Sequence, residues 1–377
     1  MAKLFRITTV PISVEKLLGN QLTYMNGFFE VTAISADENN LRKAGEKLGV
    51  KTHSIEMTRQ ITPFKDLKSL WQMYRYLKKE KPEIVHTHTP KAGLIGMLAA
   101  RLAGIKIRLH TVAGLPLMEA RGIKRKILNI VERITYACAT NVYPNSFGLK
   151  DFILNEKFCS ADKLKVIGQG STNGINIDFF CNNTISDNDK LQLKKELNIS
   201  DSDFVFIFVG RIVKDKGIQE LISAFRQLTK ENVKLLLVGP LEPELDPLDI
   251  NTLSEIENNP DIISAGYQKD VRPYFAISDA LVFPSYREGF PNVVLQSLAM
   301  QIPVIVSDIN GCNEIVENGQ NGIIVPPKDE SALQQAMTML LEEKIYLKLK
   351  ENSRSSILKY EQQKLWDAIL REYQSFL

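Results

Sequence analysis

The sequence predicts an α/β protein made of two doubly wound parallel sheets in series. Three observations predict it. Short β-rich runs alternate with amphipathic helical stretches along most of the chain, and such alternation builds parallel strands with helices on both faces. The alternation breaks once, in a run rich in Gly and Asn, and then restarts. The length of 377 residues also exceeds the roughly 250–300 residues at which a single core usually stops growing.

In the first half, strands are expected at 3–10, 30–35, 83–88, 107–112, 141–143 and 163–167, and helices around 13–26, 38–48, 65–80, 92–104, 123–139 and 147–155. Within 65–80, Leu67, Leu70, Met73, Tyr74 and Leu77 recur at helical spacing and mark one apolar face. The run Gly168-Gln-Gly-Ser-Thr-Asn-Gly-Ile-Asn176 is the expected linker. Beyond it, strands are expected at 204–209, 233–238, 262–265, 280–283 and 303–306, with helices at 217–229, 248–257, 271–277 and 292–300. The stretch from about 331 to 377 is helical and amphipathic, with Leu358, Leu365, Ile369 and Tyr373 among its apolar positions. Two Rossmann-like domains follow, 1–176 and 177–377, the last helix being able to return to the first domain. Ligands of open α/β sheets sit past the carboxyl ends of the strands, so two sheets facing a cleft suggest an enzyme with two substrates, one on each lip.

Composition narrows the class. With 44% hydrophobic and 24% charged residues the chain reads as an ordinary globular protein. Cys138, Cys159, Cys181 and Cys312 show no C-x-x-C spacing, which fits structural thiols in a reducing cytoplasm. No export signal is expected before the strand that starts at Lys3, and no stretch reaches the roughly 18 apolar residues of a spanning helix. Residues 1–180 carry 27 Lys and Arg against 15 Asp and Glu, a balance of +12, whereas 181–377 carry 20 against 29, a balance of −9. A basic first half is expected to face something anionic, a phospholipid surface or a diphosphate-bearing acceptor.

Two segments carry the chemistry. The first is Val209-Gly210-Arg211-Ile-Val-Lys214-Asp215-Lys216-Gly217, directly after a strand. Gly210 lets the backbone approach a ligand, Arg211 offers a planar fork for phosphate oxygens, and Lys216 places a point charge where the next helix begins. With that helix's N–H groups they describe a diphosphate site, although the G-x-x-x-x-G-K-[ST] order of a Walker loop is absent. The second is Pro284-Ser-Tyr-Arg-Glu288-Gly289-Phe290-Pro291-Asn292-Val-Val-Leu-Gln296. A strand ends near Phe283 and a helix opens near Asn292, an expected N-cap. The Glu288 carboxylate just ahead of it is placed to accept hydrogen bonds from sugar hydroxyls.

These segments resemble glycosyltransferase family 4, with its GT-B fold. The resemblance spans essentially the whole chain. It includes Gly210-Arg211 with Lys216-Gly217, the Gly266-Tyr267 turn, Asp279 to Ser285, Glu288-Gly-Phe-Pro-Asn292, Pro303 to Asp308, and Asn321-Gly322. Val85 to Gly93 and Leu109 to Pro116 look like the subset that builds capsular and O-antigen polysaccharides. The resemblance implies that Arg211 and Lys216 neutralise the donor diphosphate. It implies that Glu288 and the amides of Gly289 and Phe290 hold sugar hydroxyls, and that the turn Gly266, Tyr267 and Gln268 meets the base, with Gly210, Pro291, Asn292 and Gln296 completing the donor side. It further implies a retaining reaction without metal or other cofactor. The donor is expected to be a UDP-sugar, and the acceptor a glycan on a polyprenyl diphosphate at the inner face of a bacterial membrane. Two positions depart from the pattern. Gln296 stands where E-x7-E would end in a second Glu, and Ala113 stands where Thr-x-His-Gly would place a histidine.

His88, Lys91 and His110 are expected on the acceptor side; His86 and His88 alternate along a strand and share a face, without further residues spaced to hold a metal. Arg121-Gly-Ile-Lys124-Arg125-Lys126 precedes a helix with Ile127, Ile130, Val131 and Ile134 on its apolar face, which suggests peripheral contact with an anionic membrane. Nucleic acid is not expected, because no aromatic residues interleave with the charges. A nicotinamide-dependent oxidoreductase is excluded by the segment from Pro11 to Lys16, which lacks G-x-G-x-x-G. Two other classes remain as alternatives: a nucleotide-sugar epimerase, and a non-catalytic sugar-nucleotide-binding partner.

Overall fold

Runs such as Phe204-Val-Phe-Ile-Phe-Val209 are apolar at successive positions, the pattern of a strand covered on both faces. In the computed structural model, which describes all residues except 59, 61, 119, 243 and 245 and the side chain of Pro116, these runs form two parallel sheets. The chain divides into two units, 1–174 with 362–377, and 175–361.

The first unit contains β1 (Lys3–Ile7), β2 (Glu30–Ser35), β3 (Lys51–Ser54), β4 (Ile84–Thr87), β5 (Ile107–Val112) and β6 (Asn141–Pro144), in the order β3-β2-β1-β4-β5-β6. All pairs are parallel, with Phe5 opposite both Thr32 and Val85. One face packs Phe5, Ile7, Val85, Val112 and Leu149. The other packs Leu4, Val31, Leu109 and Tyr143 against Leu365, Ile369 and Tyr373 of the last helix, Gln362–Gln374.

The second unit repeats this arrangement with β7 (Phe204–Val209), β8 (Val233–Val238), β9 (Ile262–Gly266), β10 (Ala280–Phe283), β11 (Val304–Ser307) and β12 (Gly322–Val325), ordered β12-β11-β10-β7-β8-β9. Counted from its own first strand, each sheet runs 3-2-1-4-5-6. The strand order therefore reverses between β1 and β4 in the first unit and between β7 and β10 in the second, and such reversal points are where open α/β sheets bind ligands. Phe206, Phe208, Leu281 and Ile305 are fully buried in the second core, each contributing about 1.5–3 kcal/mol by leaving water.

Several local expectations are corrected. No strand forms at 163–167: Leu164 makes a single bridge to Val142 after a 3₁₀ turn over Ala161–Lys163, and the chain turns away through Gly168 and Gly170. The helix expected at 13–26 is interrupted by a π-helical turn, Val14–Leu18, and by Gly19 before Asn20–Asn26 resumes. Strands β3 and β12 and the helix Asp187–Glu196 were not expected. β3 is a polar edge strand with no residue fully buried, and Asp187–Glu196 buries no residue, so neither carries an apolar period. The four cysteines are free. Among the described residues no helix is long and apolar enough to cross a membrane.

Candidate active site

The two motif segments of the second unit follow β7 and β10, the strands flanking its reversal point. After β7 the chain passes Gly210 and Arg211, makes a 3₁₀ turn over Lys214–Lys216, and enters the helix Ile218–Arg226. After β10 it passes Pro284 and Ser285 and enters the helix Asn292–Ala299. The two loops interlock through the backbone, with the Tyr286 amide donating to the Asp215 carbonyl at 3.0 Å. Gly217 makes this packing achievable. Its φ is +71°, and a Cβ there would stand 2.1 Å from the Pro284 carbonyl oxygen.

Interlocking brings the charged groups together. Lys216 Nζ donates to Glu288 Oε1 at 2.5 Å, the two side chains being 15% and 17% exposed. Ser285 Oγ donates to the same oxygen at 3.0 Å. The ammonium also stands 5.7 Å from the centroid of the Phe283 ring. Arg211 is more open and lies between two carboxylates, 3.5 Å from Glu242 and 3.9 Å from Asp215. Asp215 in turn accepts from Arg287 at 3.1 Å, while its buried Oδ1 has no protein partner. A loop after β11 braces the Glu288 turn, as Asn310 Nδ2 donates to the carbonyls of Glu288 and Gly289 at 3.1 and 3.0 Å. The site is thus a half-buried floor in which Lys216, Arg211 and Arg287 alternate with Glu288, Asp215 and Glu242.

The remaining predicted donor residues line the same carboxyl-end edge. Gly210 and the end of β9 are joined through Gly239, whose amide donates to the Gly266 carbonyl at 2.9 Å. A Cβ on Gly239 would fall 1.7 Å from the Gly210 carbonyl oxygen, so only glycine permits this approach. Tyr267 is 64% exposed, and Gln268 folds back to donate to the Ala265 carbonyl at 2.7 Å. Phe290 turns inward against the ring of Tyr360, centroids 5.3 Å apart, so only its backbone can serve a ligand. The expected N-cap is corrected: Pro291 holds that position, without a side-chain cap bond, and Asn292 is the first helical residue. A proline cap leaves first-turn amides without a side-chain acceptor. Gln296 is half-buried on the second turn of that helix.

The family described as Glycosyl transferases group 1 matches over residues 189–356, and that described as Glycosyl transferase 4-like domain over 23–170. The capsular polysaccharide biosynthesis glycosyltransferase CapM of Staphylococcus aureus is 35% identical over 100% of this chain and 97% of its own length. The chain belongs to glycosyltransferase family 4. The UDP-Gal:alpha-D-GlcNAc-diphosphoundecaprenol alpha-1,3-galactosyltransferase of Escherichia coli is 30% identical to this glycosyltransferase, over 80% of its chain and 77% of the relative. The crystal structure of Anabaena HepE in complex with UDP and glucose superposes with a TM-score of 0.82 at 17% identity, covering 100% of both chains. The fold of this glycosyltransferase is GT-B.

In the first unit, the expected acceptor-side residues are all engaged with protein. His110 is 2% exposed; its Nδ1 pairs with Thr87 Oγ1 at 2.7 Å, and its ring lies against the helix Pro90–Ala103, where a Cβ on Gly93 would meet it at 2.5 Å. Burial pushes its pKa down to about 4. Lys91 pairs with Asp66 at 2.5 Å. His88 accepts from Arg6 Nε at 2.8 Å and stacks near His86, centroids 4.1 Å apart. Sequence reasoning missed Ser285, Asp215, Gly239, Asn310 and Arg6. Ser285 and Asp215 lie inside the quoted motifs, but their partners are three to seventy-odd residues distant and have no fixed spacing. Arg6, inside an apolar strand, was the one signal that stood out from its surroundings.

One surface feature bears on location. Along the helix Gly122–Cys138, Ile123, Ile127, Ile130 and Ile134 are 77, 40, 58 and 40% exposed. They recur at i, i+4, i+7 and i+11, so they form one outward stripe. Arg121, Lys124, Lys126 and Arg133 are exposed beside it, while Thr135, Tyr136 and Cys138 point inward.

Proposed function

We propose that this glycosyltransferase transfers a sugar from a UDP-linked donor, with retention of anomeric configuration and without a metal ion, to a glycan carried on a polyprenyl diphosphate in surface-polysaccharide synthesis. The observation that carries the reading is the meeting of Lys216 and Glu288 at the reversal point of the second sheet. Departure of a nucleoside diphosphate concentrates negative charge on its phosphate oxygens. Lys216 and Arg211 are placed to meet that charge, and preorganised cations of this kind are a main catalytic contribution in a partly dry site. Glu288 holds donor-sugar hydroxyls, oriented by Lys216 and Ser285. Its Oε1 already accepts from both, which suits it to positioning rather than to taking a proton. The acceptor's proton then passes to the leaving phosphate on the same face of the sugar. The E. coli relative, named for UDP-Gal and a diphosphoundecaprenol acceptor, supports this pairing of substrates.

The exposed isoleucine stripe with its basic border supports peripheral attachment to the inner face of an anionic membrane. Apolar contacts would enter the headgroup boundary while Lys and Arg meet acidic lipids. No nucleic-acid partner is proposed.

The test is turnover of UDP-, GDP- and TDP-sugars in EDTA, with and without polyprenyl-diphosphate glycans. Acceptor-dependent release of UDP, with an unchanged anomeric configuration by NMR, is expected. Loss of activity in EDTA restored by a divalent ion, or an inverted product, would overturn the corresponding part. Interconversion of a donor without acceptor would favour an epimerase.

A further inference from the structure

The first sheet has its own reversal point, and two basic side chains meet there beneath the last helix. Arg6, on β1, is 1% exposed; its Nε donates to His88 Nε2 at 2.8 Å and its Nη2 to Gln21 Oε1 at 2.6 Å. Gln21 is oriented for this by donating Nε2 to the Thr172 carbonyl at 3.1 Å and to Asn173 Oδ1 at 3.2 Å. Because a guanidinium only donates, His88 Nε2 must be the bare acceptor. Burial, with His86 and Arg6 nearby, pushes the pKa of His88 well below its ordinary value, so the ring is neutral and its Nδ1 carries the hydrogen.

Two buried donors remain. Arg6 Nη1 and His88 Nδ1 have no partner at hydrogen-bond distance; Tyr373, beside the guanidinium, is held neutral by burial and offers no counter-charge, and among the described residues no carboxylate lies within ion-pair distance of Arg6. Both residues line a cavity of about 20 Å³ with His86, Leu365, Ile369 and Asn145, whose Oδ1 is also unpaired; turning that amide over presents its Nδ2 as a third donor. A guanidinium buried without a counter-charge is strongly unfavourable. A space of this size holds one particle of about water's size. A water there would satisfy the donors but leave the charge uncompensated.

We propose that this cavity binds a single monatomic anion of halide size, chloride under ordinary conditions, held by the N–H groups of Arg6 Nη1 and His88 Nδ1. The ion links β1 to the residue that follows β4, beneath Leu365 and Ile369 of the helix Gln362–Gln374. The site is structural, and it is independent of which sugar or acceptor the enzyme uses.

Thermal unfolding of the full chain in chloride or gluconate at constant ionic strength tests the proposal, alongside diffraction from crystals grown in bromide. A saturable rise of about 2–4 °C in chloride is expected. So is an anomalous bromide peak between Arg6 and His88. Arg6→Met, which removes the charge and keeps the stem, should abolish the chloride dependence. Equal melting in the two salts, no bromide peak in this cavity, or chloride dependence that persists in a folded Arg6→Met protein would each overturn the proposal. Should the variant not fold, bromide diffraction from the wild-type protein decides.

Discussion

Lys216 and Glu288 stand 72 residues apart in the chain and 2.5 Å apart in space, on loops that leave the two strands flanking the reversal point of the second sheet. Neither motif implies the other. The pairing arises because β7 and β10 are neighbours and because their loops interlock at Gly217. The pair therefore bears on the proposed catalysis and on loop geometry together, and substitutions can separate the two.

Lys216→Ala should lower kcat by about 10²–10³-fold, the usual cost of removing one preorganised donor to developing charge. Because Lys216 and Glu288 share a contact, combining Lys216→Ala with Glu288→Gln should depart from additivity by about 0.5–3 kcal/mol in transition-state free energy. Steady-state kinetics on the two single variants and the double variant measures this. Additive losses would separate the two residues functionally.

Gly217→Ala should destabilise the second unit by about 2–4 kcal/mol, since a methyl group would strike the Pro284 carbonyl where φ is already positive. Urea denaturation followed by fluorescence reads the loss. A midpoint equal to that of wild type would show that the two loops are not packed as described.

Replacing Ile123, Ile127 and Ile130 with Gln should leave melting nearly unchanged, because all three are exposed. Binding to vesicles containing phosphatidylglycerol should fall at least about tenfold, given roughly 25 cal/mol for each Å² of apolar surface buried. Co-sedimentation with anionic and with purely phosphatidylcholine vesicles checks both the apolar and the charge contribution. Equal binding of wild type and variant would remove the stripe from membrane attachment.

Stability should depend on pH in two opposing ways. Burial holds the His110 pKa down to about 4, so the unfolded chain binds the proton more readily between about 6.5 and 4. The stabilisation is complete above pH 6.5 and drains away as pH falls to 4, a loss of about 3 kcal/mol from this ring. Glu132 behaves oppositely. Burial raises its pKa to about 7, so the folded state binds the extra proton and stability falls as pH rises from about 4.5 to 7. Melting temperatures from pH 4 to 8 should show the acid loss. Glu132→Gln should flatten the decline toward pH 8, and an unchanged profile would contradict this assignment.

Much of the fold was legible because buried parallel strands advertise themselves. Phe204–Val209 and Val233–Val238 are apolar at nearly every position, and the structure begins and ends these strands where their apolar runs do. Lys51–Ser54 was illegible for the converse reason: a polar edge strand pairs through its backbone alone. Gly210, Arg211, Lys216 and Glu288 were legible because each lies where a strand stops and a ligand can reach. Ser285 and Gly239 were not, since their importance lies in what they touch across the sheet edge. Ile127, Ile130 and Ile134 were legible as one face of a helix beside a basic run, but not their exposure. Helical spacing reveals that a face exists, and only packing decides which way it looks.

The last helix has a consequence for biosynthesis. Residues 362–377 complete the unit begun by residues 1–174, so the intervening 187-residue unit, 175–361, is topologically an insertion into it. A ribosome delivers everything the inserted unit needs before it delivers Leu365, Ile369 and Tyr373. The part made first is therefore finished last, and it waits with part of one sheet face uncovered until the final helix emerges.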